Sequence, residues 1–231
     1  MQVLSKNPEA AGASTLAEAI RIALIKDLAS GQLRPGHPID EKELSARFST
    51  SRTPIREAIL QLAAQGFIVM SPRSGASVPK LSINILRDLL ELLGELEGIA
   101  AGYAARRMKP DERRHLQQSV EDCAKAAAES DAAAYERANA QFHQMIYEGC
   151  RNGALVEQIR MLRTRCAGYT VKRFESPGRM QRSVKEHQAV CQAILDANGD
   201  AARKEMLEHI SIGGKDFAEF VSGLSPELLG I

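Results

Sequence analysis

Two sets of side chains in this 231-residue chain have the types and spacing for chemistry. The first is Ser51-Arg52-Thr53-Pro54-Ile55-Arg56. Arg52 and Arg56 are four residues apart, so on a helix they share one face, opposite Ile55 and Ile59. An arginine can donate two hydrogen bonds to guanine O6 and N7. The hydroxyls of Ser51 and Thr53, with the free N–H groups of a helix start, suit phosphate oxygens. The second set is three of the five histidines, His143, His187 and His209. Asn139 stands four residues before His143 and so lies on the same helical face. Three neutral imidazoles make a site for a divalent transition metal such as zinc or nickel, and its open positions can take a carboxylate from a small molecule.

The elements that must hold the first set change quickly along the chain. Leu16, Ile20, Leu24 and Leu28 form a helical stripe that Gly31 ends, and Leu33-Arg34-Pro35-Gly36 is a tight turn. A short helix from Glu41 to about Phe48 follows, with Leu44 and Phe48 facing inward. After the polar turn Ser49-Thr50-Ser51, a second helix is capped by Ser51 or Thr53, with Pro54 in its first turn. It buries Ile55, Ile59, Leu62 and Ala63 and ends at Gly66. Phe67–Met70, a Pro/Gly turn and Ala76–Val78 make a hairpin. Helix, helix, turn, helix, hairpin is a winged helix-turn-helix. In that frame Lys42 lies near the DNA backbone, and Arg73 and Gly75 lie at a wing tip that reaches the minor groove.

The second set falls in a region without strand signals. Ala-rich amphipathic segments cover about 82–108, 111–129, 131–148, 154–173, 179–197 and 201–223, with Asp131 and Asp200 placed as N-caps. Short breakers between them imply an antiparallel all-α bundle of six to seven helices. His187 and His209 lie on the last two helices, one loop apart. The domains expected are a flexible segment over 1–14, a winged helix-turn-helix over 15–80 and a helical effector-binding and dimerisation domain over 81–231.

Residues 1–80 carry 10 Lys/Arg against 7 Asp/Glu, and residues 81–231 carry 20 against 22. The excess of positive charge thus lies where a phosphate backbone can dock. No apolar run reaches the roughly 18 residues of a membrane span, and the first residues lack a signal-peptide pattern, so the chain reads as cytoplasmic. Cys123, Cys150, Cys166 and Cys191 show no CxxC pair and read as buried thiols.

The stretches Ser30–Gly36, Glu41–Ser45, Ser51–Leu62, Gly66–Ile68 and Pro72–Val78 together resemble the winged-helix domain of the GntR family of transcription regulators. The resemblance puts Lys42, Arg52, Thr53 and Arg56 on DNA-contacting positions and Arg73-Ser74-Gly75 on the wing. It implies a homodimer on a pseudo-palindromic double-stranded operator. The remainder resembles the FCD-type ligand-binding domain through Leu96-Glu97-Gly98 with Ala100-Ala101, Phe142-His143, Glu186-His187 with Ala193-Ile194, and Met206-Leu207-Glu208-His209. There the resemblance implies a metal held by an Asp four residues before the first His and by two more His. Asn139 occupies the Asp position here, a neutral and weaker donor, which leaves a metal-independent effector pocket open. Leu93-Gly94 also departs from the family, where many relatives place an arginine that could pair with an acid ligand. Arg163 and Arg165 could substitute as effector-binding residues, although a solvated basic helix face explains them more simply.

The expected function is a repressor controlled by a small metabolite of the organic-acid class. One rival is a metallo-hydrolase with a vestigial DNA-binding domain and Glu148 or Glu186 as base. It lacks an HExxH pattern, and those carboxylates are expected to face solvent. The other rival is an effector-blind architectural DNA protein, for which a 140-residue bundle is excessive.

Overall fold

A computed structural model describes residues 15–72, 75–170, 174, 178–210, 217 and 220–230. The expected flexible segment 1–14 and the wing residues Arg73 and Ser74 lie outside these. The chain divides into two compact units. One runs to Ser82 and takes in Ala167–Tyr169 and the segment from Ser225; the other comprises Ile83–Cys166 and Thr170–Leu224.

The first unit is built on three helices, α1 (Leu16–Ala29), α2 (Glu41–Arg47) and α3 (Arg52–Ala64). Thr15 caps α1 and Asp40 caps α2, each accepting from backbone N–H groups that the first turn leaves unpaired. Ile20, Leu24 and Leu28 of α1 are buried as expected, with Ile55, Ala58, Ile59 and Leu62 of α3. Leu16, expected at the head of the α1 stripe, is 52% exposed, and Ala17 is buried in its place. Arg47 of α2 pairs with the buried Asp27 of α1, its second Nη donating to Asp27 Oδ1 at 3.2 Å.

Three short strands form the wing sheet: β1 (Pro38–Ile39), β2 (Val69–Ser71) and β3 (Gly75–Ser77), in the order β1-β3-β2, all antiparallel. The hairpin starts later than the sequence suggested, because Phe67 and Ile68 are buried ahead of β2. Strand β1 was not anticipated; two residues carry no periodicity, and a strand edge is where Pro38 is tolerated. Leu81 N–H donates to Tyr169 Oη at 2.7 Å, and Gly230 N–H donates to Leu81 O at 3.0 Å, which fixes the C-terminal segment within this unit.

The second unit is helical: α4 (Ile83–Arg107), α5 (Pro110–Ala128), α6 (Ala132–Gly149), α7 (Gly153–Thr170, less its Ala167–Tyr169 stretch), α8 (Arg179–Leu195) and α9 (Gly199–Ile210). Asp131 caps α6 as expected, accepting from Ala134 N–H at 2.9 Å. The α9 cap is Asn198, which accepts from Ala201 N–H at 3.0 Å. Asp200, the residue expected there, instead lies in the first turn and pairs with Arg106 at 2.9 Å. The core joins Ala100 and Ala104, Leu116, Phe142 and Ile146, Ile159, Val190 and Ile194, and Met206.

Helix α4 lies against α9, which carries His209. A Cβ at Gly98 would sit 3.0 Å from Arg203 O, and one at Gly102 would sit 3.0 Å from Gly199 O. These glycines let two backbones approach closely, which fixes α9 relative to α4. All four cysteines are free and buried; burial pushes the Cys123 thiol up to about 12 and those of Cys166 and Cys191 up to about 11. They behave as small apolar groups.

Candidate functional site

Ser51 is the N-cap of α3, in extended conformation and without a side-chain cap bond. Its hydroxyl is therefore not spent on the helix start. Ser51, Arg52, Thr53 and Arg56 are all exposed, as is Lys42 on α2; the two arginines flank the buried Ile55 and Ile59 at helical spacing rather than opposing them. Gly75 opens β3 at φ +78°, a left-handed conformation that favours glycine. Arg73 lies outside the described residues.

One partner on this face was not anticipated. Arg56 Nε lies 3.0 Å from both carboxylate oxygens of Glu41. Glu41 thus holds the stem side of the guanidinium and leaves its two Nη groups pointing onward. The side chain of Arg56 is 61% exposed, so this pair contributes little to stability.

In the helical unit, three helices bring His143 (α6), His187 (α8) and His209 (α9) together. All three are buried, and each offers a nitrogen within 4.8 Å of the others. His143 Nε2 and His209 Nε2 are 3.3 Å apart. Phe142 stacks on His187 with centroids 4.1 Å apart and backs the cluster with an apolar wall. Asn139 is half-buried one turn before His143 on α6. The other two histidines, His37 and His115, are exposed and stand apart from this cluster.

Carboxylates stand behind two of the imidazoles. Glu97 of α4 is 0% exposed, with Oε2 3.0 Å from His143 Nδ1, an ion-pair distance without hydrogen-bond alignment. Glu186 of α8 meets His209 Nδ1 at 2.7 Å. Each carboxylate has an arginine of its own. Arg163 of α7 grips Glu97 through Nε at 2.7 Å and Nη2 at 2.9 Å, and Arg179 lies 3.0 Å from both oxygens of Glu186.

Burial alone would raise the Glu97 carboxyl, yet the Arg163 charge and His143 hold it well below the usual range. The same opposition at Glu186, where burial is outweighed by the His209 hydrogen bond and Arg179, brings it down to about 2. Burial, with Arg163 nearby, drives His143 down to about 3, so it is a neutral imidazole able to offer a lone pair.

Arg163 is therefore not the solvated arginine that a basic helix face suggested. Its side chain is 35% exposed and committed to Glu97, with its guanidinium carbon 5.8 Å from the Tyr147 ring centroid. Arg165 is half-buried on the same helix. Glu186 likewise does not face solvent freely. Held as an anion by two donors, it is a poor general base near neutral pH. Glu148 is exposed and bonded to Gln144 at 2.7 Å, on the surface of α6. Neither carboxylate serves the hydrolase alternative.

A winged helix-turn-helix followed by an all-helical unit is the build of a two-part, DNA-binding transcription regulator. Residues 16–78 match the bacterial regulatory proteins of the gntR family, and residues 88–211 match the FCD domain. The chain belongs to the gntR family of transcription regulators, in the branch that carries an FCD domain, and is not an enzyme. It is 25% identical over 187 residues to the HTH-type transcriptional repressor RspR of Escherichia coli K12, covering 81% of this chain and 82% of that protein. It is 27% identical over 199 residues to the Nta operon transcriptional regulator of Aminobacter aminovorans, covering 86% and 93%. The solved structure of E. coli McbR/YncC superposes with a TM-score of 0.75 at 22% identity, over 90% of this chain and 98% of that one, and shares the fold. Among the described residues no helix is long and apolar enough to cross a membrane.

Proposed function

We propose that this chain is a cytoplasmic repressor that binds a pseudo-palindromic operator as a homodimer and is controlled by a small organic acid bound in the helical unit. On the DNA side, α3 enters the major groove with Arg52 and Arg56 on base edges. Ser51, Thr53 and Lys42 take phosphates, and the wing around Arg73 and Gly75 follows the minor groove. On the regulatory side, His143, His187 and His209, with Asn139 as a neutral fourth donor, hold a divalent ion such as zinc or nickel. A bound ion of this kind supplies open coordination positions for a carboxylate. The effector acts by binding two arrangements of the dimer with different affinity.

The observation that carries the regulatory half is the convergence of three buried imidazoles whose nitrogens lie within 4.8 Å of one another. His143 Nε2 and His209 Nε2 face each other at 3.3 Å, a separation at which both can reach one ion at ordinary zinc–nitrogen distances. The donor set thus fits the ion it is assigned.

Two experiments test the two halves. Arg52→Ala is expected to weaken specific operator binding about 5- to 150-fold with little effect on non-specific DNA. Arg56→Ala should fall toward the lower end, because Arg56 must share its guanidinium with Glu41. Unchanged affinity for both variants in a footprinting titration would remove α3 from the groove. For the regulatory half, purified wild type is expected to retain one first-row ion per chain, and His143→Ala to retain none. Equal metal content in the two proteins contradicts the site. No metal in either, with the effector response intact, leaves the metal-independent sensor.

A further inference from the structure

The proposed function uses the inward nitrogens of the histidines; the outward ones carry a feature of their own. Two side-chain relays of the same composition lead away from the cluster: a buried one, Arg163–Glu97–His143, closed at an ion-pair distance of 3.0 Å, and a partly exposed one, Arg179–Glu186–His209, closed by a 2.7 Å contact. They come from different helices, with Glu97 on α4 and Glu186 on α8, and they end on two imidazoles whose Nε2 atoms face each other at 3.3 Å.

We infer that Glu97 and Glu186 are positioning residues that keep the proton of His143 and of His209 on Nδ1, so that both Nε2 lone pairs converge on one divalent cation. A carboxylate anion only accepts hydrogen bonds, so the ring nitrogen facing it must carry the proton. The opposite nitrogen is then a bare acceptor. The alternative, with the proton on Nε2, would satisfy the 3.3 Å contact between the rings but set an Nδ1 lone pair against an anion. Arg163 and Arg179 complete each relay by donating to the carboxylate oxygens, which orients each carboxylate toward its imidazole. Each Arg–Glu pair is neutral as a unit, so the relays orient the ligands without themselves cancelling the charge of the ion. Orienting carboxylates of this kind raise the basicity of a ligating imidazole and typically account for about 10- to 100-fold in metal affinity.

The affinity part of this inference rests on the metal reading above; the tautomer part does not. The test therefore has two arms on the full-length protein. In the first, metal-stripped, 15N-labelled wild type is studied by long-range proton–nitrogen correlation of the imidazoles, with His143→Gln and His209→Gln to assign the signals. The expected result is a protonated Nδ1 on both rings, with at most one proton shared between the two Nε2 atoms. A bare Nδ1 on either ring overturns the inference.

In the second arm, zinc affinity is measured by competition with a chromophoric chelator. Glu186 is chosen because its side chain is 33% exposed, so its variants fold more readily than those of the fully buried Glu97. Glu186→Ala is expected to bind zinc about 10- to 100-fold more weakly. Glu186→Gln, whose amide oxygen still accepts from Nδ1–H, is expected to recover part of that loss. Wild-type affinity in Glu186→Ala, or equal loss in both variants, overturns the positioning role. If both Nδ1 atoms are protonated but wild type binds no zinc, the metal reading fails and the tautomer assignment stands.

Discussion

Arg163→Ala is expected to destabilise the helical unit by about 3–5 kcal/mol, because removing one member of a buried ion pair leaves the other uncompensated. The two members are not equivalent. Glu97 is 0% exposed, whereas the Arg163 side chain is 35% exposed. Without Arg163 the carboxylate has no route to water and no cation beside it. Without Glu97 the arginine can turn its head to solvent along its own stem. Arg163→Ala should therefore cost more than Glu97→Ala, the reverse of what exposure at the mutated position suggests.

Arg163→Ala should also flatten the acid response of the metal-free protein. In wild type, Glu97 titrates below its ordinary value near 4.5. Its stabilisation is then complete above 4.5 and is lost as pH falls through the lower, folded value. In Arg163→Ala, burial is opposed by His143 alone, which moves the folded value upward from that of wild type. The loss of stability on acidification is then smaller in the variant than in wild type. Urea midpoints for both proteins between pH 4 and pH 7 measure this directly. Parallel profiles would mean that Glu97 and Arg163 are not coupled as described.

The second large effect is expected at Phe142. Its side chain is 0% exposed, stacks on His187 at 4.1 Å and meets the His143 ring edge-on at 5.4 Å. Phe142→Ala should cost about 3–5 kcal/mol, the sum of lost transfer energy and the cavity left behind. Phe142→Leu keeps most of the volume and should cost about 1–2 kcal/mol. The cavity opens beside two candidate ligands, so Phe142→Ala should also loosen metal retention under conditions where the fold persists. Denaturant unfolding, with an unchanged slope as the check on two-state behaviour, gives the first number. A cost near zero would mean that α6 does not pack its ring against the cluster.

These residues also mark where the sequence was readable and where it was not. The DNA-contacting face was legible because it is local. Ser51 and Pro54 start α3, a 3.6-residue period buries Ile55, Ile59 and Leu62, and the arginines flank that stripe with their side chains exposed. The histidines were legible as a set because three helical positions, on two adjoining helices and one more distant, share a ligand chemistry. Strand β1 escaped because its pairing with β3 is fixed by residues about 38 positions away, Pro38 with Ser77 and Ile39 with Ala76.

Arg163 and Glu97 escaped for a related reason: 66 residues separate them, and nothing in the pattern around either names the other. A usable signal did exist at Glu97. It sits in register with Leu86, Leu90, Leu93, Ala100 and Ala104 on the buried stripe of α4. A carboxylate on an apolar stripe is costly unless a cation meets it. That alone calls for a buried basic partner and makes a solvated reading of every arginine in the bundle untenable.

The most direct test of the account is anomalous diffraction from crystals of the full chain grown with zinc or nickel, recorded on both sides of the metal edge. One peak per chain is expected inside the helical unit, bonded to nitrogens of His143, His187 and His209 at about 2.0–2.1 Å. A map with no peak at that cluster, or with the ion held elsewhere on the surface, would contradict it.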